Sequence, residues 1–139
     1  MKRILGLDLG NARTGVSVSD LSCYLASGVG TIVSYNENKL IQQIVAYAKQ
    51  FDVDKIVVGN PLNMDGSVGP RSLCVQELSK KIGEATGCEI ILVDERMTTI
   101  VASEYMNATG TRGKKRKKRI DTLSAEIILQ DYLDSMKKK

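Results

Sequence analysis

Ile4-Leu5-Gly6-Leu7-Asp8-Leu9-Gly10 is an apolar run with a carboxylate near its centre. A short aliphatic stretch closed by glycine reads as a buried strand. A charge inside such a strand is costly unless it is paired, hydrated or bound to a metal. Two further acidic positions flank apolar segments: Asp94-Glu95 follows Ile90-Ile91-Leu92-Val93, and Asp121 comes just after a run of Lys and Arg. Together they point to carboxylates gathered around a hard divalent cation, next to a patch that attracts polyanions.

Outward from that strand the pattern is mixed α/β. Residues 3–9, 14–19 and about 24–33 are β-prone and separated by turn signals, Gly10-Asn11 and Asp20-Leu21-Ser22, which predict an antiparallel start. Asn38 is placed as an N-cap for a helix carrying Ile41, Ile44, Val45 and Ala48 at helical spacing. Residues 55–59 return to strand, and a polar loop over 60–69 leads to Pro70, which opens a helix with Val75, Leu78, Ile82 and Ala85 on one side before Gly87. A strand over 88–93, a helix over about 99–107, a basic loop and a helix from Ile120 to about Ser135 complete the chain. Three antiparallel strands followed by alternating strand and helix is the order of a ribonuclease H-like fold, with a mixed five-stranded sheet and helices on both faces. No repeat or linker interrupts residues 1–139, so one domain is expected.

Composition narrows the chemistry. The chain has no His, which removes the usual general base and every Ser-His-Asp or Cys-His triad. Cys23, Cys74 and Cys88 are odd in number, widely spaced and outside any CxxC pattern, so neither a disulfide framework nor a zinc site is indicated. No apolar stretch approaches the ~18 residues of a membrane span, and the run after Met1-Lys2-Arg3 ends too soon at a charge for a secretory signal. A cytosolic protein that does not engage membranes is expected. The net charge of +4 is unevenly distributed: residues 112–119 hold seven of the 20 basic groups, Lys137 to Lys139 hold three, and the remainder carries 10 basic against 16 acidic residues. An acidic body with one concentrated basic run suits a grip on a phosphate backbone. A solvated loop or an import signal are the other readings of the run.

Several blocks together carry a family resemblance. Gly6-Leu7-Asp8-Leu9-Gly10, then Arg13-Thr14-Gly15-Val16-Ser17-Val18-Ser19-Asp20, the loop from Gly59 to Ser67 with Gly69-Pro70-Arg71, Asp94-Glu95-Arg96-Met97-Thr98-Thr99, and Asp121-Thr122-Leu123-Ser124-Ala125 with Ile128 to Leu133 resemble the bacterial YqgF family. That family is described both as Holliday junction resolvase and as pre-16S ribosomal RNA nuclease. The resemblance spans nearly the whole chain. It implies a ribonuclease H-like fold, metal-dependent phosphodiester hydrolysis and trimming of the 5′ end of the 16S precursor. Ala12 replaces a frequent Lys and Ser124 a frequent Ala, and neither change touches a carboxylate.

The residues specify the chemistry further. Two divalent ions held about 3.5 to 4 Å apart catalyse in-line displacement at phosphorus and need acidic ligands from different elements. Magnesium, or manganese, matches such oxygen donors. Asp8 is the natural bridging ligand, with a buried salt-bridge partner as the alternative. Glu95 is the second candidate, because in an extended chain Asp94 points the opposite way; the residues alone leave those two roles open to exchange. Asp121 stands at a helix start, where an acid is favoured as a cap regardless of catalysis. The family resemblance makes it the third ligand.

The fourth strand ends on Gly59-Asn60 without an acid, so Glu95 takes that place and Asp65 is expected to shape the loop with Gly66. Asn60, Asn63, Ser67 and Arg71 are candidate phosphate contacts, although Asx turns explain the polar loop equally well. Arg112, Lys114, Lys115, Arg116, Lys117 and Lys118 form the principal cationic surface, with Arg13 and Arg96 as further candidates. The six aromatic residues do not interleave the basic run, so recognition is expected to lean on backbone and shape rather than base stacking.

Gly10 to Gly15 has P-loop glycine spacing but continues into Val16 instead of Lys, so a Walker motif is excluded. The expected partner is structured RNA, with a ribosomal precursor as the leading case. Four-way DNA cleaved by a dimer and non-catalytic nucleic-acid binding are the alternatives, and the sequence leaves monomer and homodimer both open.

Overall fold

The computed structural model describes residues 2–63, 65–94 and 113–137, with side chains in the last stretch described from Thr122 to Met136. The strands are β1 (Arg3–Leu9), β2 (Arg13–Ser19), β3 (Ala26–Val33), β4 (Val53–Asn60) and β5 (Glu89–Asp94). The helices are α1 (Glu37–Gln50), α2 (Pro70–Thr86) and α3 (Gly113–Lys137). The sheet order is β3-β2-β1-β4-β5, with β1-β2 and β2-β3 antiparallel and β1-β4 and β4-β5 parallel. This is the mixed five-stranded sheet of the expected ribonuclease H-like fold.

Alternation along β1 sorts the two faces. Leu5, Leu7 and Leu9 enter a core with Leu40, Ile44 and Ala48 of α1 and Val75 and Ile82 of α2. Ile4 enters a second core with Val57 and with Ile128, Leu129 and Leu133 of α3. Strand period two therefore places Gly6 and Asp8 on the α3 face. Gly6 is the point of closest approach: a Cβ there would lie 2.8 Å from Leu129 Cβ and 3.1 Å from the Ala125 carbonyl. The Ser17 hydroxyl, across β2, donates to that same carbonyl at 2.8 Å.

Several boundaries differ from the sequence reading, each for a local reason. The N-cap of α1 is Asn36, not Asn38, because the Asn36 side chain accepts the Lys39 N–H at 3.0 Å and Glu37 then favours the positive helix end. The buried α1 positions are Leu40, Ile44 and Ala48, with Ile41 and Val45 only half-buried, and Ala85 of α2 is exposed. Strand β3 begins at Ala26 because Asp20 holds the preceding residues in a turn, accepting the Tyr24 N–H at 2.8 Å and the Leu25 N–H at 3.3 Å. Those bonds, the Tyr24 one foremost, keep the Asp20 carboxyl below the ordinary Asp range.

The largest difference is the basic run. It was expected as a loop, but from Gly113 onward it is the first two turns of α3. Lys and Arg are good helix formers, no proline interrupts them, and extending an anchored helix avoids a new nucleation step. The expected helix over 99–107 lies outside the described residues. Among the described residues no helix is long and apolar enough to cross a membrane.

Candidate active site

Asp8 occupies the C-terminal end of β1, half-buried on the α3 face. Its partner on β2 is Gly15, and its neighbour on β4 follows Val58, the partner of Leu7, which makes that neighbour Gly59. Neither flanking position carries a side chain. A carboxylate oxygen is the kind of donor that a strongly hydrated divalent cation takes.

The level of α3 relative to Asp8 follows from three contacts. Gly6 meets Ala125 and Leu129, the Ala26 N–H donates to Gln130 at 2.9 Å, and Thr31 and Thr122 hydroxyls lie 3.3 Å apart. Helix numbering thus falls as the chain rises toward the Asp8 end. Gly15 pairs with Thr31 on β3, so Thr122 reaches the sheet at the level of Asp8. Position 121 lies one helical turn, about 5.4 Å, before Ala125, and Asp8 lies two strand residues, about 7 Å, beyond Gly6. The backbone of Asp121 is thereby carried to the height of Asp8. Its side chain is outside the described set.

Asp94 closes β5 in register with Asn60. Ile91 and Val93 pack with the α3 core, whereas Ile90 and Leu92 line a groove against Gln76 and Gly83 of α2. Alternation places exposed Asp94 on the α2 face, opposite Asp8. Glu95, Arg96 and Arg112 lie outside the described residues. Among the described residues no three acidic, Cys or His groups gather closely enough to hold a metal ion.

The remaining candidates divide between the faces. Arg13 opens β2 on the α3 face, two residues from Gly15 and so diagonal to Asp8. Asn60 belongs to the α2 face, where its side-chain oxygen accepts the buried Ser72 hydroxyl at 2.5 Å, and Gln76 donates to Ser72 at 3.1 Å. The loop beyond it is bonded to itself. Asp65 accepts the Ser67 N–H at 2.9 Å and its hydroxyl at 2.6 Å, Asn63 donates to the same hydroxyl at 3.0 Å, and Gly66 turns the chain at φ 89°. Arg71, exposed in the first turn of α2, lines a cavity of about 200 Å³ with Leu9, Gly10, Asn11 and Cys74. The structure thus brings Arg13 to the Asp8 face and leaves Asn60 and Arg71 at the same end of the sheet on the other face. The backbone of Lys114, Lys115, Arg116, Lys117 and Lys118 is helical and extends α3 past position 121.

Residues 2–135 match the family described as RuvX, Holliday junction resolvase. The chain belongs to the RuvX family. Its reaction class is therefore that of a nuclease, a hydrolase acting on phosphodiester bonds. A relative from Caldanaerobacter subterraneus subsp. tengcongensis, named "Putative pre-16S rRNA nuclease", is 44% identical over 140 residues, 97% of this chain and 98% of the relative. One of the same name from Bacillus cytotoxicus is 41% identical over 135 residues, 96% and 98% of the two chains. Among solved structures, T. thermophilus RuvC in complex with a Holliday junction substrate superimposes with a TM-score of 0.63 at 10% identity, covering 100% of this chain and 98% of that one. The yeast mitochondrial Holliday junction resolvase Ydc2 gives a TM-score of 0.58 at 10% identity over 95% and 78% of the two chains. These distant neighbours share the fold of this RuvX-family chain.

Proposed function

We propose that this chain hydrolyses phosphodiester bonds of structured RNA at the C-terminal end of β1, using divalent magnesium or manganese held by Asp8, Glu95 and Asp121, and that it processes the 5′ end of the 16S rRNA precursor. The observation that carries the reading is the placement of Asp8: a half-buried acid between glycine neighbours, on the face and at the level to which α3 brings position 121. Bound cations supply charge neutralisation for an in-line attack of water on phosphorus, in which the bond to the leaving oxygen breaks. Asp8 supplies negative charge and orientation from a rigid strand, Arg13 holds a phosphate on the same face, and the helical Lys and Arg of α3 position the flanking backbone. With no His in the chain, proton transfer falls to water and carboxylates. Glu95 is preferred to Asp94 because Asp94 belongs to the opposite face of the sheet.

The names of the near relatives support RNA, and the description of the family supports four-way DNA as a second reading. Purified protein with magnesium should shorten an RNA carrying the 16S 5′ extension, and should cut a mobile four-way junction more slowly at equal concentration. Faster cutting of the junction would transfer the reading to resolution. Cleavage of neither would leave a nucleic-acid binder.

The basic turns of α3 make a separate quantitative prediction. Each cation that neutralises a phosphate contributes roughly 0.7 to 0.9 to the slope of log affinity against log salt. Because the run is helical, Gln is the appropriate replacement, since it removes charge while keeping helix propensity. Changing Lys114, Lys115, Lys117 and Lys118 to Gln should flatten the slope by up to about 3, with a much smaller effect on turnover at saturation. An unchanged slope in a binding titration would show that these lysines are a solvated helical face.

A further inference from the structure

We propose that Tyr35 is a base-stacking platform at the rim of the active site, so that this chain takes a substrate with an unpaired nucleobase beside the cleaved strand. The inference rests on the nuclease reading above and adds an element of substrate recognition that the carboxylates and lysines do not supply. Tyr35 is 92% exposed. Most described aromatic rings are better covered: Tyr47 and Phe51 stack at 6.5 Å against the α1 core, and Tyr132 packs against the α3 core. Aromatic residues usually contribute through buried area, and a ring left this open contributes almost none.

Its backbone is held on both sides. The Ser34 N–H donates to the Ala12 carbonyl at 2.9 Å, and the Ser34 hydroxyl donates to the Asn36 carbonyl at 3.0 Å. The Asn36 N–H returns to that hydroxyl at 3.2 Å, and the Asn36 side chain caps α1 through Lys39 at 3.0 Å. With the backbone already held, the ordering cost when a base stacks on the ring is confined to the two side-chain torsions of Tyr35.

Location completes the inference. Asp8 is level with Gly15 on β2 and Thr31 on β3, so Tyr35 stands four residues past that level, at the end of the sheet where the site lies. Two strand spacings, about 10 Å, separate β3 from β1. Val33, 56% exposed, pairs with Arg13 and lies between Thr31 and Tyr35. Arg13 for a phosphate, Val33 as an apolar contact and Tyr35 for a base stand in succession at that end of the sheet, with Tyr35 roughly 13 Å beyond the level of Asp8 along the strand direction. Stacking on aromatic side chains tolerates any base and favours unpaired ones. The absence of aromatic residues from the basic run argues in sequence against base stacking, and the exposure of Tyr35 is what revises that expectation.

The test uses two RNA hairpins, one with a 5′ single-stranded extension carrying 2-aminopurine and one blunt, bound by the full chain in an Asp8→Asn background that preserves the RNA. Tyr35→Ala should weaken binding of the extended hairpin about tenfold or more and abolish quenching of the 2-aminopurine, while Tyr35→Phe stays within about twofold of the Tyr35 chain. Both variants should bind the blunt hairpin like the Tyr35 chain. Unchanged affinity of Tyr35→Ala for the extended hairpin, an equal loss on the blunt one, or failure of Tyr35→Phe to restore binding overturns the stacking role. Failure of the unsubstituted Tyr35 chain to bind either hairpin overturns the reading of RNA as the substrate together with it.

Discussion

Asp8→Asn is expected to lower magnesium-dependent cleavage by at least about a hundredfold, the scale on which one preorganised electrostatic group matters in a transition state. The side chain keeps its shape and loses its charge, so the fold and the affinity for nucleic acid should stay close to those of the unsubstituted protein. The position is demanding because β1 is the central strand of the sheet and packed on both faces, which fixes the backbone that carries the carboxylate. Glu95→Gln should cause a loss of similar scale. Asp94→Asn should leave turnover largely intact, since Asp94 ends β5 on the α2 face. The comparison is made at equal thermal stability, and a greater loss in Asp94→Asn than in Glu95→Gln would mean that the chain turns over directly after β5. Full activity in Asp8→Asn would remove the metal-site reading and favour a binding protein.

Gly6→Ala should produce a large loss of stability for a single added methyl. The new methyl would meet the Ser17 hydroxyl and would sit 2.8 Å from Leu129 Cβ, an atom fixed to the helix backbone that has no rotamer of escape. Helix α3 must then lift from β1, straining the Ser17 bond to the Ala125 carbonyl and opening the core formed with Ile128, Leu129 and Leu133. Overpacking of this kind costs about 1 to 3 kcal/mol, readable as a lower urea midpoint with an unchanged m-value. Activity should fall by more than stability alone explains, because the same displacement shifts Asp121 relative to Asp8. An unaltered midpoint would show that the β1-α3 contact yields easily and that the register inferred for position 121 is loose.

Much of the architecture was legible locally. Short β-prone stretches separated by turn signals give the five strands, Pro70 and Gly87 delimit α2, and the position of Asp8 within an aliphatic run singles it out as a candidate before any fold is known. These are short-range signals: backbone conformations that glycine and proline favour or forbid, and the cost of burying charge. Boundaries that rest on competing local bonds were less legible. Asn36 and Asn38 are equally good caps by composition, and only the bond to Lys39 distinguishes them. The helicity of Gly113 to Arg119 was hidden by repulsion among its charges, which argues for a loop until the anchored remainder of α3 is known to continue through it.

What the sequence determined by itself is therefore the order of the described strands and helices, together with the candidate acids and a concentrated basic run, because each follows from residue type and near-neighbour spacing. Which groups share a face was decided by tertiary structure. Strand alternation and the close contact at Gly6 put Asp8 and Arg13 with α3, while Asn60, Arg71 and Asp94 fall on the α2 face, although all five stand at one end of the sheet. Period two assigns alternate residues to opposite faces, but naming the helix that covers each face requires the crossovers to be in place. The exposure of Tyr35 belongs to the same class, since burial is a property of the packed chain and no local pattern encodes it.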